Sequence, residues 1–356
     1  MLISSKIILL EGMNGQIKVI TIMVIFILCL LIKKPFAPPK NKSFLPVEFS
    51  ISESLSLDND PFVENRKIHP HKSIKKSKTI SLPALNHEPL IKKAFALEES
   101  GVYRFATSRN VSVQPVSHGT WSSKDNISTW KFNLKSSGAR SINLTFSEFN
   151  LPEGAALSIA KDEDNSRPIL FTARDNDAHG QLWTPLFKTD RLKLKLTVPT
   201  HLIAKTVLHL TKINHGFRDA GSGFKISSNT SGSCQIDVIC SAKDNSDYGP
   251  IIDIYRDQIK SVGAFTLNGI DTCSGALINN TNNDLRPFFL TAEHCGISPS
   301  NAASMVVYWN HENSICREVG ASSNGRVGDG PTTQFNTGAI LRAEHAPTDF
   351  ALVELD

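Results

Sequence analysis

The sequence predicts an all-β chain: a β-sandwich, then one small antiparallel barrel. Three observations carry this. From residue 94 onward, short stretches alternate apolar and polar residues with period 2, as half-buried strands do. Turn-forming clusters separate them, as at Pro152-Glu153-Gly154, Asp175-Asn176-Asp177 and His179-Gly180. After residue 260, about six short apolar stretches are joined by loops rich in Asn, Asp and Gly.

The first group holds Trp130, Phe132 and Leu134 on one face of one strand, and Ile142, Leu144 and Phe146 on the next. Leu192, Leu194, Leu196 and Val198 repeat the pattern. Short strands at this spacing fit a sandwich. The second group is Val262–Leu267, Thr272–Ile278, Phe288–Leu290, Met305–Trp309, Gly338–Leu341 and Phe350–Leu355. Six antiparallel strands close into one small barrel.

The 356 residues are enough for two or three domains. The formal charge of +4 is unevenly spread. Residues 33–93 hold twelve Lys/Arg against six Asp/Glu, and the first 32 residues add +1, which leaves about −3 for residues 94–356. The folded part is therefore not basic, and no nucleic-acid partner is expected. Residues 34–93 read as a basic, low-complexity linker, and His69 and His71 within it as solvated rather than metal-binding.

Ahead of that linker, residues 1–33 carry a 14-residue apolar run, Val19 to Ile32, preceded by Lys6 and Lys18. The run is short for a membrane span and right for the apolar core of a signal peptide. Lys33 and Lys34 follow directly, so the alternative is membrane attachment through residues 19–32. Residues 220–230 read as a flexible linker between the sandwich (94–219) and the barrel region (231–356). Of six cysteines, Cys29 lies in the apolar run; Cys234, Cys240, Cys273, Cys295 and Cys316 all follow residue 230. Such clustering marks a disulfide-bearing module of an exported protein. No Cys-x-x-Cys pair or zinc spacing occurs, so neither metal nor cofactor is expected.

The candidate chemistry lies in Thr291-Ala292-Glu293-His294-Cys295 and, fifty-five residues after the histidine, in Thr348-Asp349-Phe350. A hydroxyl nucleophile needs an adjacent base, and the base needs an orienting carboxylate. His294 and Asp349 have those identities. A lone histidine is ordinarily a packing residue; the Thr-Ala-x-His-Cys setting argues otherwise. His118, His179, His201, His209 and His215 have no such setting and are read as surface or packing residues.

Cys273-Ser-Gly-Ala-Leu-Ile followed by Leu290-Thr-Ala-Glu-His-Cys resembles the trypsin/chymotrypsin-like serine proteases. Ser231-Gly-Ser-Cys-Gln-Ile-Asp-Val-Ile-Cys, Leu277-Ile-Asn-Asn-Thr and Val306-Val-Tyr-Trp-Asn resemble one branch, the bacterial lysyl endopeptidases. Gly119-Thr-Trp, Gly138-Ala-Arg-Ser-Ile-Asn-Leu, Pro152-Glu-Gly-Ala and Trp183-Thr-Pro resemble their propeptide. The resemblance implies a chymotrypsin-type barrel, the first of the usual two, after a propeptide-like sandwich. It implies His294 as general base and Asp349 as its orienter, with a protein or peptide substrate. It pairs Cys273 with Cys295 and Cys240 with Cys316, and leaves Cys234 for a distant partner. It implies propeptide removal, with Lys225-Ile226 as the candidate cleavage site. One departure matters: no Gly-x-Ser-x-Gly or Gly-Asp-Ser-Gly occurs in the 356 residues, and Ser274 is not at the nucleophile's position. The expectation is an exported endopeptidase precursor truncated before its nucleophile and inactive by itself. The alternative is a non-catalytic β-protein that binds a protease as inhibitor or folding aid.

Overall fold

The structure is a computed structural model that describes residues 78–98, 101–163, 166–220, 236–244, 247–317, 319–320 and 328–356. The apolar run, most of the basic linker, residues 221–230, Lys225-Ile226, and both Cys29 and Cys234 lie outside the described residues. No helix among the described residues is long and apolar enough to cross a membrane.

The strands before residue 220 are β1 (Thr79–Leu82), β2 (Tyr103–Arg104), β3 (Ala106–Val113), β4 (Thr120–Lys124), β5 (Ile127–Ser136) and β6 (Ser141–Asn150). They continue with β7 (Ala156–Lys161), β8 (Ile169–Thr172), β9 (Leu182–Trp183), β10 (Arg191–Pro199) and β11 (Val207–Gly216). One sheet runs β1-β5-β10-β7-β8, with β4 also on β5; the other runs β3-β11-β6-β9. In the β5–β10 register Trp130 lies opposite Leu196, Phe132 opposite Leu194 and Leu134 opposite Leu192. All six side chains point inward and are buried, with lysines alternating outward. They meet Ile142, Leu144 and Phe146 of β6 in one core. Burying each such side chain is worth about 1.5–3 kcal/mol, so a strand's alternation fixes its register.

The linker reading of residues 34–93 fails at its end. Thr79–Leu82 forms β1, parallel to β5, and His87–Glu98 forms helix α1. Ile80 and Leu82 pack against the sandwich core, and Ala94 of α1 is buried. Lys92 pairs outward with Glu88 at 2.8 Å, which is why composition alone made the stretch look solvated.

Seven strands follow: β12 (Val262–Leu267), β13 (Asp271–Ile278), β14 (Phe288–Thr291), β15 (Val306–Trp309), β16 (Phe335–Thr337), β17 (Ala339–His345) and β18 (Phe350–Leu355). Their order is β16-β15-β12-β13-β14-β18-β17, every pairing antiparallel. The two strands at the ends of this path are separated in the chain by Gly338 alone, at φ +88°. The sheet therefore curls back on itself. The expected six strands become seven because Phe335-Asn336-Thr337 is too short to show a period. Phe265, Phe289, Met305, Val307 and Val353 form the core.

Sandwich and curled sheet share contacts. Tyr103, Phe105, Trp183, Val306 and Tyr308 form a common apolar cluster. Asn143 Nδ2 donates to the Gly269 carbonyl at 2.9 Å, and Thr337 Oγ1 to the Trp183 carbonyl at 2.9 Å.

Candidate active site

β14 and β18 are neighbours, with Thr291 opposite Ala351 and Leu290 opposite Leu352. Thr291 leaves β14 and Asp349 leads into β18, so the pairing brings the two site residues together across fifty-five positions. Thr291 Oγ1 donates to the Ser274 carbonyl at 2.8 Å and ties the end of β14 to β13. A short 3-10 turn, Glu293–Cys295, follows and ends at Gly296, which sits at φ +76° as a left-handed cap requires.

Asp349 also has a positive φ, +50°, which aspartate tolerates better than most residues. The His294 backbone N–H donates to its Oδ1 at 2.9 Å, and Nδ1 of the ring lies 2.7 Å from Oδ2. One carboxylate thus holds both the backbone and the ring of the same histidine. The backbone N–H of His294, then the bond from its ring and the imidazole charge, hold the Asp349 carboxyl below the usual carboxylate range. A carboxylate accepts only, so Nδ1 carries the proton and Nε2 is the basic nitrogen.

Cys295 is bonded to Cys273 on β13, and Cys240 to Cys316, the two pairings expected. The first closes 22 residues around His294. Replacing Cys273 and Cys295 together by serine is expected to lower stability by about 3 kcal/mol. A urea midpoint shift worth less than about 1 kcal/mol would show that the brace adds little beyond the hydrogen bonds.

Among the described residues two clusters have the composition of metal sites, and neither has the chemistry. Cys273, His294 and Cys295 lie together, but the two sulfurs are bonded to each other. In the second, His179 Nε2 faces Asp177 and Asp356 carboxylate oxygens at 3.6 and 3.3 Å. The Gln181 backbone N–H donates to His179 Nδ1, so Nε2 bears the proton rather than a free lone pair, and it is buried without a hydrogen-bond partner among the described residues.

One contact at the site and one beside it on β13 were not legible in the sequence. Gly101, 193 positions before His294, lies so close to the imidazole that a Cβ there would stand 2.8 Å from Cδ2. Asp271, at the start of β13, binds Arg104 through both carboxylate oxygens. Neither had a local signal, since α1, which Gly101 follows, was itself not expected.

Residues 228–356 match a family model described as the lysyl endopeptidase C-terminal domain. The chain is also 25% identical over 245 residues to a lysyl endopeptidase of Pseudomonas aeruginosa. That alignment takes in 65% of this chain and 50% of the relative, so the chain spans about half the length of the curated relative it matches. Its extent exceeds the family match and so runs upstream into the sandwich. The chain is similar to lysyl endopeptidases in both regions.

Proposed function

We propose that residues 79–356 hold a propeptide-like sandwich and the base-and-orienter barrel of an exported, lysyl-endopeptidase-like serine endopeptidase. The observation that carries this is the His294–Asp349 pair, 2.7 Å from Nδ1 to Oδ2. Held that way, the ring presents Nε2 to take a proton from a hydroxyl nucleophile, and Asp349 stabilises the imidazolium that forms. The nucleophile is not supplied by these residues, since no Gly-Asp-Ser-Gly or Gly-x-Ser-x-Gly occurs among them. By themselves the 356 residues are inactive. Two disulfides fit an oxidising compartment, which supports export. A preference for lysine rests on the relatives' name alone.

The test is a chimera in which the nucleophile-bearing barrel of a complete lysyl endopeptidase follows residue 356. A serine-directed fluorophosphonate should leave the 356-residue chain unlabelled, label the chimera, and accompany cleavage of a lysyl peptide. His294→Ala in the chimera should lower kcat/KM on the order of 10⁴-fold or more. Retention of activity within tenfold would remove His294 as the base.

A further inference from the structure

The sheet β1-β5-β10-β7-β8, with β4, buries one face in the sandwich core, and its outward face carries charge of one sign. On β5 the outward positions include Lys131, Asn133 and Lys135; on β10 they include Arg191, Lys193 and Lys195. The register sets Lys131 directly opposite Lys195 and Lys135 directly opposite Arg191. Like charges facing each other across two strands cost stability, and a surface selected for folding alone would mix the signs. Here no aspartate or glutamate stands at an outward position of any of the six strands. Two acids at the rim offset part of the charge: Asp162 pairs with Lys193 at 2.5 Å and Asp190 with Arg191 at 3.5 Å. Lys131, Lys135 and Lys195 have no ion-pair partner among the described residues.

The neighbours of these cations are small or apolar. β7 presents Ala156, Ser158 and Ala160 beside β10, and Leu170 of β8 stands beyond them, 60% exposed. No aromatic side chain occupies an outward position of the face, so it offers no platform on which bases could stack. An open face of lysines with an exposed leucine at its side fits a surface of phosphate headgroups, where the cations meet the charge and the leucine enters the apolar boundary. The chain also reaches this sheet through basic sequence: Lys72, Lys75, Lys76 and Lys78 precede β1, which pairs with β5.

We propose that the outward face of this sheet, centred on Lys131, Lys135, Arg191 and Lys195, is a docking surface for an anionic lipid bilayer. The facing cations then have a partner. Phosphate oxygens lie across both members of each pair, and relief of their repulsion adds to the attraction. Every basic residue near the surface strengthens the contact, and salt weakens it, the Debye length being about 10 Å at 0.1 M. Neither His294 nor Asp349 takes part, so docking stands apart from the chemistry proposed for them.

The test is a footprint on the full-length chain. The chain is mixed with phosphatidylcholine vesicles, with or without about 30% phosphatidylglycerol, and its lysines are acetylated for timed intervals and read one by one by mass spectrometry. Acetylation of Lys131, Lys135 and Lys195 is expected to slow about fivefold or more on the anionic vesicles relative to the neutral ones, and to recover at about 0.5 M NaCl. Lys243 and Lys260, exposed beyond the sandwich, serve as references and should change less than about twofold. Equal rates on the two vesicles overturn the proposal, even where the apolar run holds the chain to both. So does equal slowing at the reference lysines. Stronger protection by single-stranded DNA at equal phosphate concentration also overturns it, by making the partner a nucleic acid. A variant separates docking from folding. Lys131→Glu with Lys135→Glu sets carboxylates opposite Lys195 and Arg191, so its urea midpoint should be no lower than that of the wild type. Lys195 should nevertheless lose its protection there, and keep it in Lys243→Glu with Lys260→Glu, which changes net charge equally. Protection of Lys195 that survives in the first variant, or is lost in both, overturns the proposal.

Discussion

Phe289→Ala is expected to lower the stability of the curled sheet by about 3–5 kcal/mol. Phe289 is fully buried on β14, two residues before the threonine that leads to His294. Its ring meets Phe265 edge-on at 6.0 Å and Trp309 at 5.9 Å, contacts worth about 0.5–1.5 kcal/mol each beyond area burial. The slot it fills is made by a cross-strand glycine pair, Gly263 opposite Gly275. A Cβ at Gly275 would stand 2.4 Å from the ring, and one at Gly263 3.3 Å. The two glycines weaken β12 and β13, and the aromatic ring covers the backbone they expose. Removing the ring leaves a cavity with two bare strands on its wall, where little can relax inward. Guanidinium unfolding followed by near-ultraviolet circular dichroism measures the loss. A change below about 1.5 kcal/mol would mean that Phe265 and Trp309 collapse into the space, and that the glycine pair is not a slot built for this ring.

That slot also shows where the sequence could be read and where it could not. The alternation of Leu192, Leu194, Leu196 and Val198 declared a half-buried strand because each burial decision is local to its residue. His294 and Asp349 were singled out by their immediate neighbours, and β14 and β18 bring the two side chains to 2.7 Å. Glycines 263 and 275 declared nothing, since their role appears only when β12 and β13 are paired. β1 and α1 were missed for a related reason. Lysines at 78, 92 and 93 dominate the composition there, while the apolar side that Ile80, Leu82 and Ala94 bury is narrow. Gly101 and Arg104 reach their partners across 193 and 167 positions, and no period within a strand or helix encodes such a contact.

Acid should destabilise the sandwich well before its carboxylates titrate, through His215. This residue is fully buried on β11. Its Nδ1 is 2.7 Å from Ser136 Oγ and its Nε2 is 2.9 Å from Nε2 of His87, at the start of α1. Two ring nitrogens at that distance share one proton, one donating and one accepting. Protonating His215 would put a buried charge against His87 and near Arg109, and protonating both rings would set two charges side by side, with Arg140 near His87 as well. Burial first, then His87 and Arg109, push the His215 pKa down to about 4, and burial and Arg140 lower that of His87. The unfolded chain takes up a proton at His215 near pH 6.5, which the folded chain refuses until about pH 4. The stabilisation is therefore complete above pH 6.5 and is lost as pH falls from 6.5 to 4, by about 3 kcal/mol in total. His87 acts in the same direction. The depressed carboxyl of Asp349 acts in a lower window, below its unfolded value of 3.8, so the two do not overlap. Urea midpoints at pH 7, 5.5 and 4.5 should fall steadily in the wild type. His215→Gln, which keeps a hydrogen-bonding side chain toward Ser136, should lower the midpoint at pH 7 and flatten most of the dependence. An equally steep fall in the variant would place the proton uptake elsewhere. Because α1 begins at this histidine pair and ends at the cap that lays Gly101 on His294, exchange of the α1 amides should quicken over the same interval.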